Sequence, residues 1–180
     1  MEKNLTHIAL FAALIAVLGL VPKIDLVSGV PITAQSLGIM LCGTVLGTKR
    51  GALAVILFLV LVAAGLPLLS GGRGGLGVFA GPSVGYLIGF PVAAFVAGLV
   101  MERWTAPVPQ AAFAGAVLGG IVTLYAFGIP GMALVLDKTL PEAALLATPF
   151  LAGDLIKCVL CALITRTVAQ MRPAALLSRA

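Results

Sequence analysis

Residues 148–169, TPFLAGDLIKCVLCALITRTVA, decide the fold class, because they form an apolar run that nevertheless contains Asp154 and Lys157. A helix needs roughly 20 apolar residues to cross the hydrocarbon of a bilayer. Two residues three apart lie on one face of such a helix, about one turn apart. Each charge costs roughly 2.5 to 3.5 kcal/mol near the middle of a span. The run therefore predicts a transmembrane helix whose two charges face the interior of a bundle.

The pair of charges has two interpretations. Ionisable residues inside membrane helices commonly mark the path or the site of a polar solute, and we interpret Asp154 and Lys157 in this way. The alternative is a mutually neutralising pair that only fixes the packing of neighbouring helices.

The rest of the chain has the same apolar character. Of its 180 residues, 61% are hydrophobic and only 9% are charged, whereas soluble domains carry about 25% charged residues. This composition excludes an ordinary soluble domain. We predict an all-α integral membrane protein, a single transmembrane domain over residues 1–180. Its six predicted spans cover residues 5–21, 32–47, 51–66, 83–101, 109–127 and 148–169.

The basic residues predict the orientation of the bundle. Six spans place seven lysines and arginines on the side of the two termini: Lys3, Lys49, Arg50, Arg103, Arg166, Arg172 and Arg179. The opposite side has three, Lys23, Arg73 and Lys138. Cytoplasmic loops are the ones enriched in basic residues, so we expect both termini in the cytoplasm. The net charge of +5 reflects this topology, and the sequence does not indicate nucleic-acid binding.

The loop at residues 71–75, GGRGG, is predicted to lie on the outer side. Glycines such as Gly72 and Gly74 allow the backbone to present N–H groups to a polar ligand, and Arg73 adds a positive charge. The alternative is a flexible connection with a solvated arginine. With Asp154 and Lys157, the loop predicts a pocket that opens outward beneath a mobile segment.

Four further polar side chains are candidates for this pocket. Ser83 and Tyr86 lie near the outer start of the fourth run, and Gln35 and Thr33 lie in the outer half of the second. Tyr86 could instead be an aromatic residue of the membrane interface. Gln35 could instead form a hydrogen bond to a neighbouring helix.

The first run carries alanines at four-residue spacing, Ala9 and Ala13 in one register and Ala12 and Ala16 in another. Small residues at this spacing allow two helices to approach closely. The stripe predicts a contact with another helix, which belongs either to a partner subunit or to this same chain.

Catalytic and metal-binding arrangements are not indicated. His7 is the only histidine, and Cys158 and Cys161 lie on an apolar helix without a second pair of metal ligands, so we interpret them as packing residues. We therefore predict a protein that is not an enzyme and that has no metal and no cofactor. Energy for any transport must come from another subunit.

Four segments together resemble the BioY family, the biotin-binding S components of energy-coupling factor (ECF) transporters. They are residues 31–35 (PITAQ), 71–75 (GGRGG), 81–90 (GPSVGYLIGF) and 154–157 (DLIK). The resemblance implies a multi-pass protein of the bacterial cytoplasmic membrane that takes up biotin as its substrate. The implied partners are the transmembrane coupling (T) subunit and the ATPase subunits. Ser83 replaces a threonine that is frequent in the family and keeps the hydroxyl.

The resemblance also implies roles for individual residues. Asp154 and Lys157 become ligands of the polar bicyclic head of biotin, and Ala9 and Ala13 become the surface that docks on the T subunit. Ala12 and Ala16 would be an equivalent register. The implied pocket lies between the first, third and fifth loops and the outer ends of the second, fourth and sixth helices. Two alternatives are an S component for another vitamin, such as riboflavin or thiamin, and a structural membrane subunit that transports nothing.

Overall fold

The computed structural model describes the backbone of residues 2–179 and the side chains of residues 4–179. Lys3, which contributes to the predicted charge asymmetry, lies outside the described side chains. Six long helices account for most of the described chain: α1 Glu2–Leu18, α2 Gln35–Leu46, α3 Thr48–Ala63, α4 Val84–Arg103, α5 Val108–Leu136 and α6 Leu140–Met171. The described residues otherwise form turns, short 3₁₀ segments and two isolated bridges without a strand. The predicted all-α class is confirmed.

Three helices are long and apolar enough to cross a bilayer, namely α4, α5 and α6. The helix α6 begins eight residues before the apolar run because Thr139 and Glu142 form a capping box. The backbone N–H and the hydroxyl of Thr139 donate to Glu142 Oε2 at 2.8 and 2.7 Å. These bonds satisfy groups that a helix start otherwise leaves unpaired. The polar first turn thus belongs to the same helix as Asp154.

The helix α5 continues to Leu136 and contains Pro130 in its interior. Proline is tolerated inside membrane helices because neighbouring groups satisfy the backbone that it leaves unpaired. The middle of α5, Leu118–Thr123, is a π-helical turn. Such turns contain one residue more than an α-helical turn and change the direction of every side chain that follows.

The helix α4 lies at the centre of the bundle and packs against α2, α3 and α5. The backbones of these helices approach closely because glycines lie at the contact points. A methyl group at Gly43 of α2 would collide with the backbone of Ala94, and one at Gly98 would collide with the backbone of Thr48. Small residues give the same close approach in membrane helices generally. These contacts hold α2 and α3 against α4 from either side.

The two ends of the bundle differ. At one end, the C-terminal tail packs on the helix ends: Ser178 Oγ donates to the carbonyl of Thr44, and Arg179 donates to the carbonyl of Trp104 at 2.9 Å. The opposite end carries the α1–α2 connection and the α3–α4 connection. Ile24 pairs with Ile32 in the first connection, and Leu69 pairs with Arg73 in the second. These paired loops cover the end at which the candidate site lies.

The substitution Gly43→Val should lower the free energy of unfolding by about 2 to 3 kcal/mol, because the added side chain overpacks the contact between α2 and α4. Thermal unfolding of the purified protein in detergent measures the effect. Gly77→Val is the matched control, since a Cβ at Gly77 meets no atom within 4 Å. Equal stabilities of the two variants would contradict the close approach.

Candidate ligand-binding site

A cavity, partly open to the outside, lies at the loop end of the bundle between α2, α4, α5 and α6. Its wall is built from the α1–α2 connection, the start of α2, the α3–α4 loop, the start of α4, the middle of α5 and the first half of α6. The contribution of α5 was not foreseen, and no residue of the α5–α6 turn lines the cavity.

Asp154 and Lys157 face this cavity from α6. Lys157 Nζ lies 2.9 Å from Asp154 Oδ1, and the two side chains are 13% and 9% exposed. Lys157 Nζ also donates to Ser36 Oγ at 2.9 Å, and the Ser36 hydroxyl lies 3.4 Å from Asp154 Oδ1. The two charges are thus paired inside the bundle, beside a polar group of α2.

Tyr125 on α5 completes the surroundings of the carboxylate. Its hydroxyl donates to Asp154 Oδ2 at 2.9 Å. Neither Tyr125 nor Ser36 was among the residues predicted for the site. Ser36 could have been found from the sequence, because it follows Gln35 in a polar segment of an otherwise apolar run. Tyr125 gave no such signal, because a tyrosine near the end of a span also suits the membrane interface.

Aromatic rings form an apolar wall next to the charges. The ring of Tyr86 packs edge-on against Tyr125 at 6.3 Å and against Phe150 at 6.0 Å between centroids. The Tyr86 hydroxyl is buried and has no hydrogen-bond partner among the described residues. A buried hydroxyl without a partner costs about 1 to 3 kcal/mol.

Gln35 lines the cavity, but its amide is engaged by the backbone. The amide nitrogen donates to the carbonyls of Ile15 and Leu68, each at 3.1 Å, and the amide oxygen accepts from the N–H of Ser70 at 3.0 Å. The residue is 2% exposed. Gln35 therefore ties the end of α1 and the α3–α4 loop to the start of α2.

The glycine-rich loop contributes Arg73 to the cavity wall, together with Leu69. The backbones of Leu69 and Arg73 are hydrogen-bonded to each other at 3.0 and 3.2 Å, and Arg73 Nε donates to the carbonyl of Ser70 at 3.3 Å. These bonds hold the guanidinium at the mouth. The loop is therefore bonded internally through Leu69, Ser70 and Arg73.

Gly72 and Gly74, which were predicted as binding residues, are not among the residues that line the cavity. Gly72 has a positive φ of 70° and is exposed at the tip of the turn. A Cβ at Gly74 would collide with the carbonyl of Leu66. Both glycines allow the backbone of the loop to adopt its conformation. Ser83 is buried and does line the cavity, at the start of α4.

The alanines of α1 lie away from the cavity and face two directions. Ala9 and Ala13 are exposed, whereas Ala12 is 3% exposed and packs in the core beside Ile15. Ala16 also packs against that core. The two registers are therefore not equivalent as predicted, because the second faces this chain's own helices.

Within residues 4–179, no three His, Cys, Asp or Glu side chains form a group that could hold a metal ion. The polar groups of the cavity are thus a carboxylate, an ammonium, a guanidinium and hydroxyls beside aromatic rings. They suit a small solute that combines an apolar body with hydrogen-bonding groups.

The family model of the BioY family matches residues 2–174. The chain belongs to the BioY family. A relative named biotin transporter BioY from Rhodobacter capsulatus is 57% identical, with 99% of this chain and 100% of the relative covered. A protein of the same name from Rhizobium etli is 49% identical, with 92% of each chain covered. The resemblance drawn from the four sequence segments is therefore confirmed.

Among solved structures, the fold matches a crystal structure of the S-component for biotin from an ECF-type ABC transporter. The TM-score is 0.89 and the identity is 32%, with 94% of this chain and 92% of the other covered. The BioY relatives are transporters by name, which supports the prediction that the chain is not an enzyme. The fold and the family agree on a multi-pass membrane protein.

The substitution Gln35→Leu should lower the free energy of unfolding by about 2 to 4 kcal/mol in ligand-free protein, because it removes partners from buried backbone groups. Hydrogen exchange should show faster exchange of the Ser70 amide. Gln110→Leu, at an exposed position of α5, is the control and should change neither quantity. Unchanged exchange at Ser70 in Gln35→Leu would contradict the positioning role of Gln35.

Proposed function

We propose that this chain takes up biotin as the S component of an ECF-type transporter in a bacterial cytoplasmic membrane, and that the cavity beside Asp154 is the biotin site. Biotin uptake is supported by the relatives, which are biotin transporters by name. One observation carries the assignment of the site: a buried ion pair lines an otherwise largely apolar cavity at the loop end of the bundle.

The donors and acceptors that the ion pair leaves unused indicate which group of biotin it binds. An ammonium has three donors, and Lys157 uses one on Asp154 and one on Ser36. One donor is left. Asp154 Oδ2 accepts from Tyr125 and has a second lone pair. One donor beside one acceptor matches the C=O and the N–H of a cyclic urea, so the ureido group of biotin binds here.

The remainder of biotin extends from the ion pair toward the mouth. The sulfur-containing ring packs on the aromatic wall of Tyr86 and Phe150, which both line the cavity. The carboxylate of the valeryl chain pairs with Arg73, since guanidinium groups bind carboxylates well. Ser83 adds a hydroxyl on the α4 side, and Gln35 holds the wall in place.

Both termini lie in the cytoplasm and the six helices form one transmembrane domain with the cavity facing outward. The cavity lies at the end opposite the start of α3, which carries Lys49 and Arg50, and opposite the C-terminal tail, which carries Arg172 and Arg179. This distribution of basic residues supports the orientation. Biotin enters from outside, and the ATPase subunits drive its release inward.

The T subunit docks on the exposed face of α1 at Ala9 and Ala13. Both alanines are exposed on a helix that packs against α2 and α3 with its other face. Small side chains allow a partner helix to approach closely. Ala12 is buried in the chain's own core and Ala16 is half-buried against it, so both are left out of this surface.

The substitution Lys157→Gln should weaken biotin binding about 10- to 100-fold, because it removes a charge-assisted hydrogen bond to the ureido oxygen. Isothermal titration of the purified protein with biotin measures the dissociation constant. Lys138→Gln, an exposed lysine at the same end of the bundle, is the control and should bind biotin normally.

Iminobiotin, in which a cationic guanidinium replaces the urea, tests the same contact from the ligand side. Wild-type protein should bind it at least about 100-fold more weakly than biotin, since like charges repel in a buried site. In Lys157→Gln the ratio between the dissociation constants of iminobiotin and biotin should be smaller. If Lys157→Gln lost affinity equally for biotin and iminobiotin, Lys157 would instead bind the valeryl carboxylate. Displacement of biotin by riboflavin or thiamin would contradict the assignment of biotin as the substrate.

The substitution Ala9→Trp should reduce association with the T subunit without changing the affinity for biotin, because a large side chain prevents the close approach of a partner helix. Co-purification with the tagged T subunit measures association. Ala144→Trp, at an exposed position of α6, is the control. Full association of Ala9→Trp would exclude this face of α1 as the docking surface.

A further inference from the structure

The Asp154 carboxylate has bonds on both of its oxygens. Oδ1 accepts from Lys157 at 2.9 Å, and Oδ2 accepts from the Tyr125 hydroxyl at 2.9 Å. Lys157 and Asp154 share α6, whereas Tyr125 comes from α5 and is half-buried. Oδ1 also accepts from the Ser36 hydroxyl of α2 at 3.4 Å. The carboxylate is therefore held from three helices, and Tyr125 is the group bonded to Oδ2.

The π-helical turn in α5 brings Tyr125 to this position. One extra residue in a turn rotates all later side chains by about 100° relative to a regular helix. In a regular continuation of the first half of α5, Tyr125 would point where Ala126 now points, and Ala126 is exposed. The tyrosine would then face away from Asp154.

Packing and a side-chain bond fix the π-helical turn in place. A Cβ at Gly119 would collide with the carbonyl of Ala93 on α4, and a Cβ at Gly120 would collide with the Met40 side chain of α2. Thr123 Oγ1 donates to the carbonyl of Leu118 at 2.8 Å, which satisfies a group of the widened turn. The direction of Tyr125 thus follows from close contacts of α5 with α4 and α2 and from one hydrogen bond within α5.

The ring of Tyr125 is held as well as its hydroxyl. It packs edge-on against Tyr86, which in turn packs against Phe150. Edge-on aromatic pairs are favourable and directional. The phenol therefore reaches Asp154 from a fixed position.

We propose that Tyr125 is a positioning residue, which holds the Asp154 carboxylate so that Oδ2 presents one lone pair to the cavity. This inference rests on the proposed biotin site. Without the Tyr125 hydroxyl, the carboxylate rotates and shares both oxygens with Lys157. The ligand must then break that arrangement before its N–H reaches Asp154, and reorganisation of this kind lowers affinity.

A double-mutant cycle with Asp154→Asn tests the inference. Tyr125→Phe keeps the ring and should weaken biotin binding about fivefold, the cost of ordering one side chain. In the Asp154→Asn background the same change should cost less than about twofold, because a neutral amide has no ionic arrangement with Lys157 to adopt. Isothermal titration of all four proteins provides the dissociation constants, and unfolding of ligand-free protein reports that each is folded.

Tyr86→Phe is the matched control, because Tyr86 belongs to the same aromatic wall and its hydroxyl is not bonded to Asp154. Its loss in affinity should be the same in both backgrounds. Equal losses for Tyr125→Phe in both backgrounds, or no loss in the wild-type background, would overturn the positioning role while leaving the biotin site intact. Failure of the wild-type protein to bind biotin would instead overturn the proposed function.

Discussion

The ion pair between Asp154 and Lys157 is the interaction on which the site depends. Neither charge is tolerated alone in an apolar bundle, and breaking a buried pair by removing one partner typically costs about 3 to 5 kcal/mol. The pair here has further partners, because Ser36 and Tyr125 bond to it from α2 and α5. Three helices are thus tied together at one point, and that point lies on the wall of the cavity.

The rest of the bundle supports this point by bringing helices close together. Glycines on α2, α4 and α5 let α4 lie at the centre, with backbones in near contact where larger residues would separate them. Gln35 then fastens the α3–α4 loop to α1 and α2 through three bonds to the backbone. Arg73 of this loop lines the same cavity as the ion pair. A wall that is fixed before the ligand arrives reduces the entropy lost on binding.

Much of the site follows from sequence reasoning, but the contribution of α5 through Tyr125 does not. The three-residue spacing of Asp154 and Lys157 places them on one face of a helix whatever the tertiary structure. Spacing arguments assume 3.6 residues per turn, however, and the π-helical turn before Tyr125 violates that assumption. Gly72, Gly74 and Gln35 illustrate a second limit. Residue type indicates what a side chain can bond, whereas only the fold decides whether backbone or ligand takes the bond.

A crystal structure of the chain with biotin bound would test the arrangement most directly. The expected result places the ureido oxygen within about 3 Å of Lys157 Nζ and one ureido N–H at the same distance from Asp154 Oδ2, both ordinary hydrogen-bond lengths. The valeryl carboxylate should lie at Arg73. Biotin bound in the reverse direction, with its carboxylate on Lys157, or bound outside this cavity, would contradict it.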